Sequence, residues 1–135
     1  MPLYELLRFR QAVFVVEQGC AYPDLDGRDQ QARHLMLRVA GELAGCLRLI
    51  PFPEENRVAI GRVAVAPEHR GRGLARQMMQ EALACCRRDY PDCRVTLTAQ
   101  TYLVPFYESF AFGVTSASYD DYGLEHVEMA LVQVS

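Results

Sequence analysis

A chain of 135 residues, half of them apolar and 23% charged, has the size and composition of one folded domain, expected over residues 1–135, and is too apolar to remain disordered. No apolar run approaches the ~20 residues that cross a bilayer, and Met1-Pro2-Leu3-Tyr4-Glu5 lacks the start of a secretion signal, so the expected location is cytoplasmic. A net charge of -3 offers no global field to nucleic acid or a membrane, and five cysteines without a CxxC pair indicate neither a disulfide framework nor a zinc site, so no metal is expected.

Residues 3–17 read as a helix, with Leu3, Leu6, Leu7, Val13, Phe14 and Val16 near helical spacing. Residues 19–33 form a polar loop rich in Asp and Gly. Its run Asp24-Leu25-Asp26-Gly27-Arg28-Asp29 has the look of a calcium loop. The twelfth position from Asp24 is Leu35 rather than the closing Glu, and calcium is rejected. Residues 34–39 and 43–50 read as strands joined by a tight turn at Ala40-Gly41-Glu42, followed by a loop over 51–56.

A third strand covers residues 58–65. Its alternation changes phase near Gly61 and Arg62, which predicts a bulge. A glycine turn over 67–73 leads into an amphipathic helix over 74–88, with Leu74, Met78, Ala82, Leu83 and Cys86 on one side. Tyr90-Pro91-Asp92 ends it. Residues 95–99 are a short buried strand, and 104–110 a short helix that tolerates Pro105 in its first turn. Residues 114–119 and 127–132 complete a strand pair. This order predicts an α/β (α+β) fold with a mixed, mostly antiparallel sheet flanked by helices.

The strongest local feature runs from Val63-Ala64-Val65 through Ala66-Pro67 into His69-Arg70-Gly71-Arg72-Gly73, with a helix starting directly after. Glycine lets the backbone turn sharply and approach a ligand closely. The free amides and positive dipole of a helix start suit phosphate oxygens. Arg57, Arg62, Arg70, Arg72 and Arg76 fall within twenty residues and add positive charge, Arg70, Arg72 and Arg76 around the turn itself. The turn is neither a Walker loop, since no GK[ST] follows, nor the dinucleotide pattern GxGxxG.

Arg70-Gly71-Arg72-Gly73-Leu74-Ala75 resembles the (Q/R)xxGx(G/A) pyrophosphate-binding signature of the GNAT acetyltransferases. Gly61-Arg62-Val63-Ala64-Val65-Ala66-Pro67 is similar to the strand that precedes it in that family. Phe106-Tyr107-Glu108-Ser109-Phe110-Ala111-Phe112 resembles the FYxxxGF segment, with Ala111 where glycine is usual. Val13-Phe14-Val15-Val16-Glu17-Gln18, Cys20-Ala21-Tyr22-Pro23-Asp24-Leu25-Asp26-Gly27 and Thr98-Ala99-Gln100 carry a likeness to the ElaA-like branch.

The resemblance implies a GNAT fold and an acetyl-CoA-dependent N-acetyltransferase acting on a primary amine of a small molecule or peptide. Val63, Ala64 and Val65 would then bind pantetheine as an added strand does. Arg70, Gly71, Arg72, Gly73, Leu74 and Ala75 would hold the pyrophosphate, with Gln100 and Phe106 also on the cofactor side. Tyr107 is implied as the acid that protonates coenzyme A sulfur, and an amide near Val65 as the group that polarises the thioester. For a base, Glu17 is the first choice, His34 the second, and His126 a further candidate.

Family members usually open with a strand before the first helix, whereas this chain starts almost on the helix. The strand of His34 is then expected as a sheet edge that a homodimer partner could cover. Two alternatives stay open. One is an acyl-homoserine-lactone-synthase-like acyltransferase using acyl-carrier protein and S-adenosylmethionine; the other is a non-catalytic acetyl-CoA-binding module.

Overall fold

The computed structural model describes residues 2–11, 32–121 and 123–132. Within them, the apolar sides of two helices cover opposite faces of one sheet. Helix α1 (Pro2–Arg10) carries Glu5 in its first turn and Arg8 and Arg10 in its last, the charge order its dipole favours. Its Leu6 is buried against Leu43, Cys46 and Ala64, which contributes roughly 2 kcal/mol. The remainder of the expected helix, Glu17 included, and the loop up to residue 31 lie outside the described residues.

Strands β1 (Arg33–Val39) and β2 (Glu42–Phe52) form an antiparallel hairpin. Ala40 and Gly41 turn it with φ of 53° and 84°; left-handed values at both central residues match the right-handed twist of paired strands. β2 runs two residues beyond the expected strand, because Pro51 pairs with Val58 and Phe52 with Arg57. The Arg57 guanidinium lies 4.1 Å from the centroid of the Phe52 ring and 2.7 Å from Glu55, which closes the shortened loop.

β3 (Arg57–Val65) leads through the glycine turn to α2 (Leu74–Asp89) and then to β4 (Arg94–Gln100). α3 (Val104–Glu108), β5 (Phe112–Val114), β6 (Tyr119–Asp121) and β7 (Leu124–Leu131) complete the order. The seven-stranded sheet runs β1-β2-β3-β4-β7-β5, with β6 also paired to β7; β3 and β4 form its parallel pair. Among the described residues β1 stands at one edge, as expected for the strand of His34.

The expected strand over 114–119 is corrected to two short pieces on β7. At the break the Glu128 amide donates to Ser116 Oγ at 2.9 Å, so a side chain replaces a ladder partner.

Met78, Met79, Ala82, Leu83 and Cys86 of α2 fill the main core against Leu47, Leu49, Val58 and Ile60. Gly45 lets α2 approach β2: a Cβ there would stand 3.0 Å from Met78 Cε and 3.2 Å from the Ala64 carbonyl. Gly45→Ala is therefore expected to lower stability by about 1–3 kcal/mol, read in urea unfolding.

The opposite outcome is expected at Ala111, whose φ of 72° is left-handed. Ala111→Gly should add up to about 1 kcal/mol by relieving that strain, less the entropy glycine adds to the unfolded chain.

Candidate active site

The bulge expected near Gly61 and Arg62 is present. Cys46 pairs with Ala64 and Arg48 with Gly61, so β3 spends one residue more than β2 between these pairs. Arg62 takes up the excess at φ 52°. Pairing of β3 with β4 stops just before the bulge, at Ile60 with Leu97. Beyond it, residues 61–65 and 98–100 diverge.

A cleft of ≈ 270 Å³ occupies this divergence, with Gly61, Arg62 and Val63 on one wall and Thr98, Ala99 and Gln100 on the other. Tyr107 lines it from α3, and Tyr119, Asp121 and His126 line it from β6 and β7. A second hollow shares Ile60, Gly61, Arg62, Leu97 and Thr98 and continues to Arg48 and Glu128. A strand edge that leaves its neighbour can accept an extended chain by main-chain hydrogen bonds.

The glycine turn follows the end of β3. Gly71 and Gly73 have φ of 80° and 75°, a region L-residues enter at a cost of about 1–2 kcal/mol. A Cβ on either would meet nothing within 4 Å, so the space over the turn is open. Gly73 caps α2 with no side-chain hydrogen bond. The Gln77 amide donates to the Gly73 carbonyl at 3.0 Å as the first bond of the helix. The amides of Leu74, Ala75 and Arg76 therefore stand ahead of the helical ladder, at its positive end.

Arg70 and Arg72 are exposed beside the turn, and Arg70 Nε donates to the Val65 carbonyl at 3.1 Å. Arg76 is turned toward α3 instead. Its guanidinium lies 4.8 Å from the Phe110 centroid and donates to Ser109 Oγ at 3.1 Å, which ties α2 to α3.

Tyr107 is 7% exposed. Its ring meets Phe106 and Phe112 edge-on, at centroid distances of 5.2 and 6.3 Å. Burial, and secondarily Tyr102, pushes its phenol up to about 12. The hydroxyl thus keeps its proton at neutral pH and can donate it.

Of the other expected site residues, Val63 and Gln100 line the cleft. The Ala64 side chain is buried beneath α1 on the far face, and its backbone is paired with Cys46 of β2. Phe106 is half-buried between Tyr107 and Phe110 and supports Tyr107. His34 pairs with Arg48 on β1, two strands from β3, and is not among the residues lining the cleft. Glu17 lies outside the described residues.

Sequence reasoning missed Tyr119, Asp121 and Glu128. Glu128 Oε2 accepts from the Tyr119 hydroxyl at 2.7 Å and from Thr98 Oγ1 at 2.8 Å. Burial, then this bond to Glu128, pushes the Tyr119 phenol up to about 12. The available signal was Gly123, which turns β6 back onto β7 at φ 84° and places Tyr119 opposite His126. Away from the cleft, Glu42, Glu68 and His69 bring three possible metal-ligand atoms within 4.8 Å of one another. Both carboxylates are exposed, an arrangement common without an ion.

A parallel strand pair that parts beside a bulge, followed by an amide-rich turn into a helix, defines the acyl-CoA acyltransferase class of fold. The family model for the acetyltransferase (GNAT) domain matches residues 10–133. Protein ElaA of Escherichia coli is 40% identical over 131 residues, covering 95% of this chain and 86% of that protein. Its crystal structure superposes with a TM-score of 0.89, covering 96% of this chain and 89% of its own. An acyl-CoA N-acyltransferase from Pseudomonas aeruginosa gives a TM-score of 0.91 at 38% identity, covering 96% and 89%. More distantly, a GNAT family acetyltransferase from Elizabethkingia anophelis with acetyl-CoA bound shares the fold, with a TM-score of 0.67 at 15% identity over 87% of this chain and 84% of its own.

The chain belongs to the GNAT acetyltransferase family, in its ElaA-like branch.

Proposed function

We propose that the chain, as a single domain, is an acetyl-CoA-dependent N-acetyltransferase that moves acetyl to a primary amine of a small molecule or peptide by direct attack. The observation that carries this reading is the combination of three features: the edge of β3 that β4 leaves unpaired beyond Ile60, the buried Tyr107 lining the cleft beside it, and the amide-rich turn that follows the end of β3. Acetyl-CoA bound in the E. anophelis fold neighbour supports the choice of cosubstrate.

The pantetheine arm lies along Val63, Ala64 and Val65, and residues 70–75 hold the diphosphate, which lies against main-chain amides between Gly71 and Arg76. An amide near Val65 polarises the thioester carbonyl. The amine attacks the carbonyl carbon, the C–S bond breaks, and the Tyr107 hydroxyl gives its proton to the departing thiolate. Gln100 and Phe106 complete the cofactor side, the second by holding Tyr107.

No helix among the described residues is long and apolar enough to cross a membrane, and a cytoplasmic location is part of the proposal. So is a homodimer that closes over the β1 edge, which sedimentation velocity tests.

Thermal unfolding with acetyl-CoA and a thiol-release assay with amines test the central reading. At a ligand concentration of 100 Kd the folded state should gain about 2.7 kcal/mol. Thiol release should require an amine. Binding without turnover of any amine would leave a cofactor-binding module, and turnover only with an acyl-carrier thioester would leave the synthase-like alternative.

A further inference from the structure

We propose that His126 is the group that takes the proton from the acceptor amine, through Nε2. The assignment rests on the transferase reading above and on three observations about the ring.

First, His126 Nδ1 stands 2.9 Å from the Leu124 carbonyl oxygen. A carbonyl only accepts, so Nδ1 carries the hydrogen of that bond. A neutral imidazole has one N–H, and its lone pair is then left on Nε2, the nitrogen a base uses. Second, the ring is held. It stacks on Tyr119 with centroids 6.3 Å apart and planes at 28°, and its backbone lies in β7 between Gln100 of β4 and Tyr119 of β6. A side chain seated on the middle of three strands loses little further freedom when it reacts. Third, His126 lines the same cleft as Tyr107. One cavity thus offers a proton donor and a proton acceptor, the division of labour that amide formation at a thioester requires.

The proton count closes with these two groups. The acceptor arrives as an ammonium and loses one proton to Nε2, which frees the nitrogen lone pair. That nitrogen forms the bond to the thioester carbon. Collapse of the tetrahedral adduct breaks C–S, the thiolate takes the Tyr107 proton, and the second proton of the former amine restores the phenol through water. The imidazolium gives its proton to solvent. Overall an ammonium and acetyl-CoA become an amide, free coenzyme A and one proton. The other titratable side chains around the cleft are Arg62 of β3, Tyr107 of α3, and Tyr119 and Asp121 of β6.

His126→Asn tests the assignment, because the asparagine amide can still donate to the Leu124 carbonyl while nothing replaces Nε2. Wild type, His126→Asn and Glu17→Gln are compared with ethanolamine, spermidine, glycinamide and a tetra-alanine peptide, following kcat/KM against pH. The expected result is a loss of about 10²-fold in His126→Asn, with disappearance of the acid-side limb and an unchanged acetyl-CoA thermal shift. An unchanged rate, or a limb that survives in His126→Asn and vanishes in Glu17→Gln, overturns it.

If wild type acetylates none of these amines yet binds acetyl-CoA, the transferase reading is what fails. Nitrogen-15 long-range correlation spectra of wild type then still decide the ring: a proton on Nδ1 is expected at pH 8, and a proton on Nε2 refutes the assignment.

Discussion

Gly73→Asp is expected to remove the acetyl-CoA-dependent rise in melting temperature while the free protein melts within a few degrees of wild type. The two halves of this result have separate causes. Gly73 is the N-cap of α2 and has φ 75°. Aspartate is among the non-glycine residues that tolerate that region best. The fold is therefore expected to survive with a cost of about 1 kcal/mol.

The ligand fares differently. A Cβ on Gly73 projects into the open space over the turn, where the diphosphate is proposed to sit. A carboxylate there removes the room and opposes the charge. Loss of affinity of about 10²-fold or more cancels most of the ~2.7 kcal/mol that saturating ligand supplies. Gly73→Asn has nearly the same shape without the charge and should keep part of the shift. Equal loss in both variants would attribute the effect to bulk alone.

Tyr107→Phe should lower kcat by about 10²–10³-fold, within the roughly 10²–10⁴-fold that a general acid contributes, with acetyl-CoA affinity unchanged. Phenylalanine preserves the edge contacts to Phe106 and Phe112, so the packing of α3 onto β5 is not disturbed.

The phenol also makes a pH prediction. Its folded value is raised to about 12 from the ordinary value of 10.0. The proton therefore leaves the unfolded chain first, and the stability this group contributes is intact below pH 10 and lost as pH rises toward 12. Part of the alkaline loss of stability should disappear in Tyr107→Phe. Tyr119, raised in the same way, should account for another part. Wild-type activity should show no fall from phenol ionisation between pH 7 and 10, whereas a limb in that range that vanished in the variant would place the Tyr107 proton differently.

The path from β3 through the turn into α2 was legible because each part carries a local cause: branched residues for the strand, glycines where φ is positive, and helical spacing of Met78, Ala82, Leu83 and Cys86. Even the bulge could be read, since the extra residue at Arg62 shifts the alternation of apolar positions.

The cleft itself could not be read. It exists because β3 and β4 stop pairing after Ile60 and Leu97; the bulge marks that point on β3, but nothing in the residues of β4 shows that this strand is its partner or that it diverges there. The roles of Tyr119 and Glu128 depend on register as well. They meet across β6 and β7 only because the ladder breaks where Ser116 Oγ accepts the Glu128 amide. The same long-range pairing extended β2 through Pro51, a residue that local rules assign to a loop. His34 follows the loop expected to line the acceptor pocket, and strand order puts β2 and β3 between it and the gap between β3 and β4, a placement that only the sheet order reveals.

The most direct test is a crystal structure with coenzyme A. The diphosphate oxygens should lie within hydrogen-bond distance of main-chain amides between Gly71 and Arg76, with the pantetheine arm beside Val63 and Val65 and the sulfur facing Tyr107. Nucleotide bound at another surface, or a thiol arm running outside the gap between β3 and β4, would contradict the account.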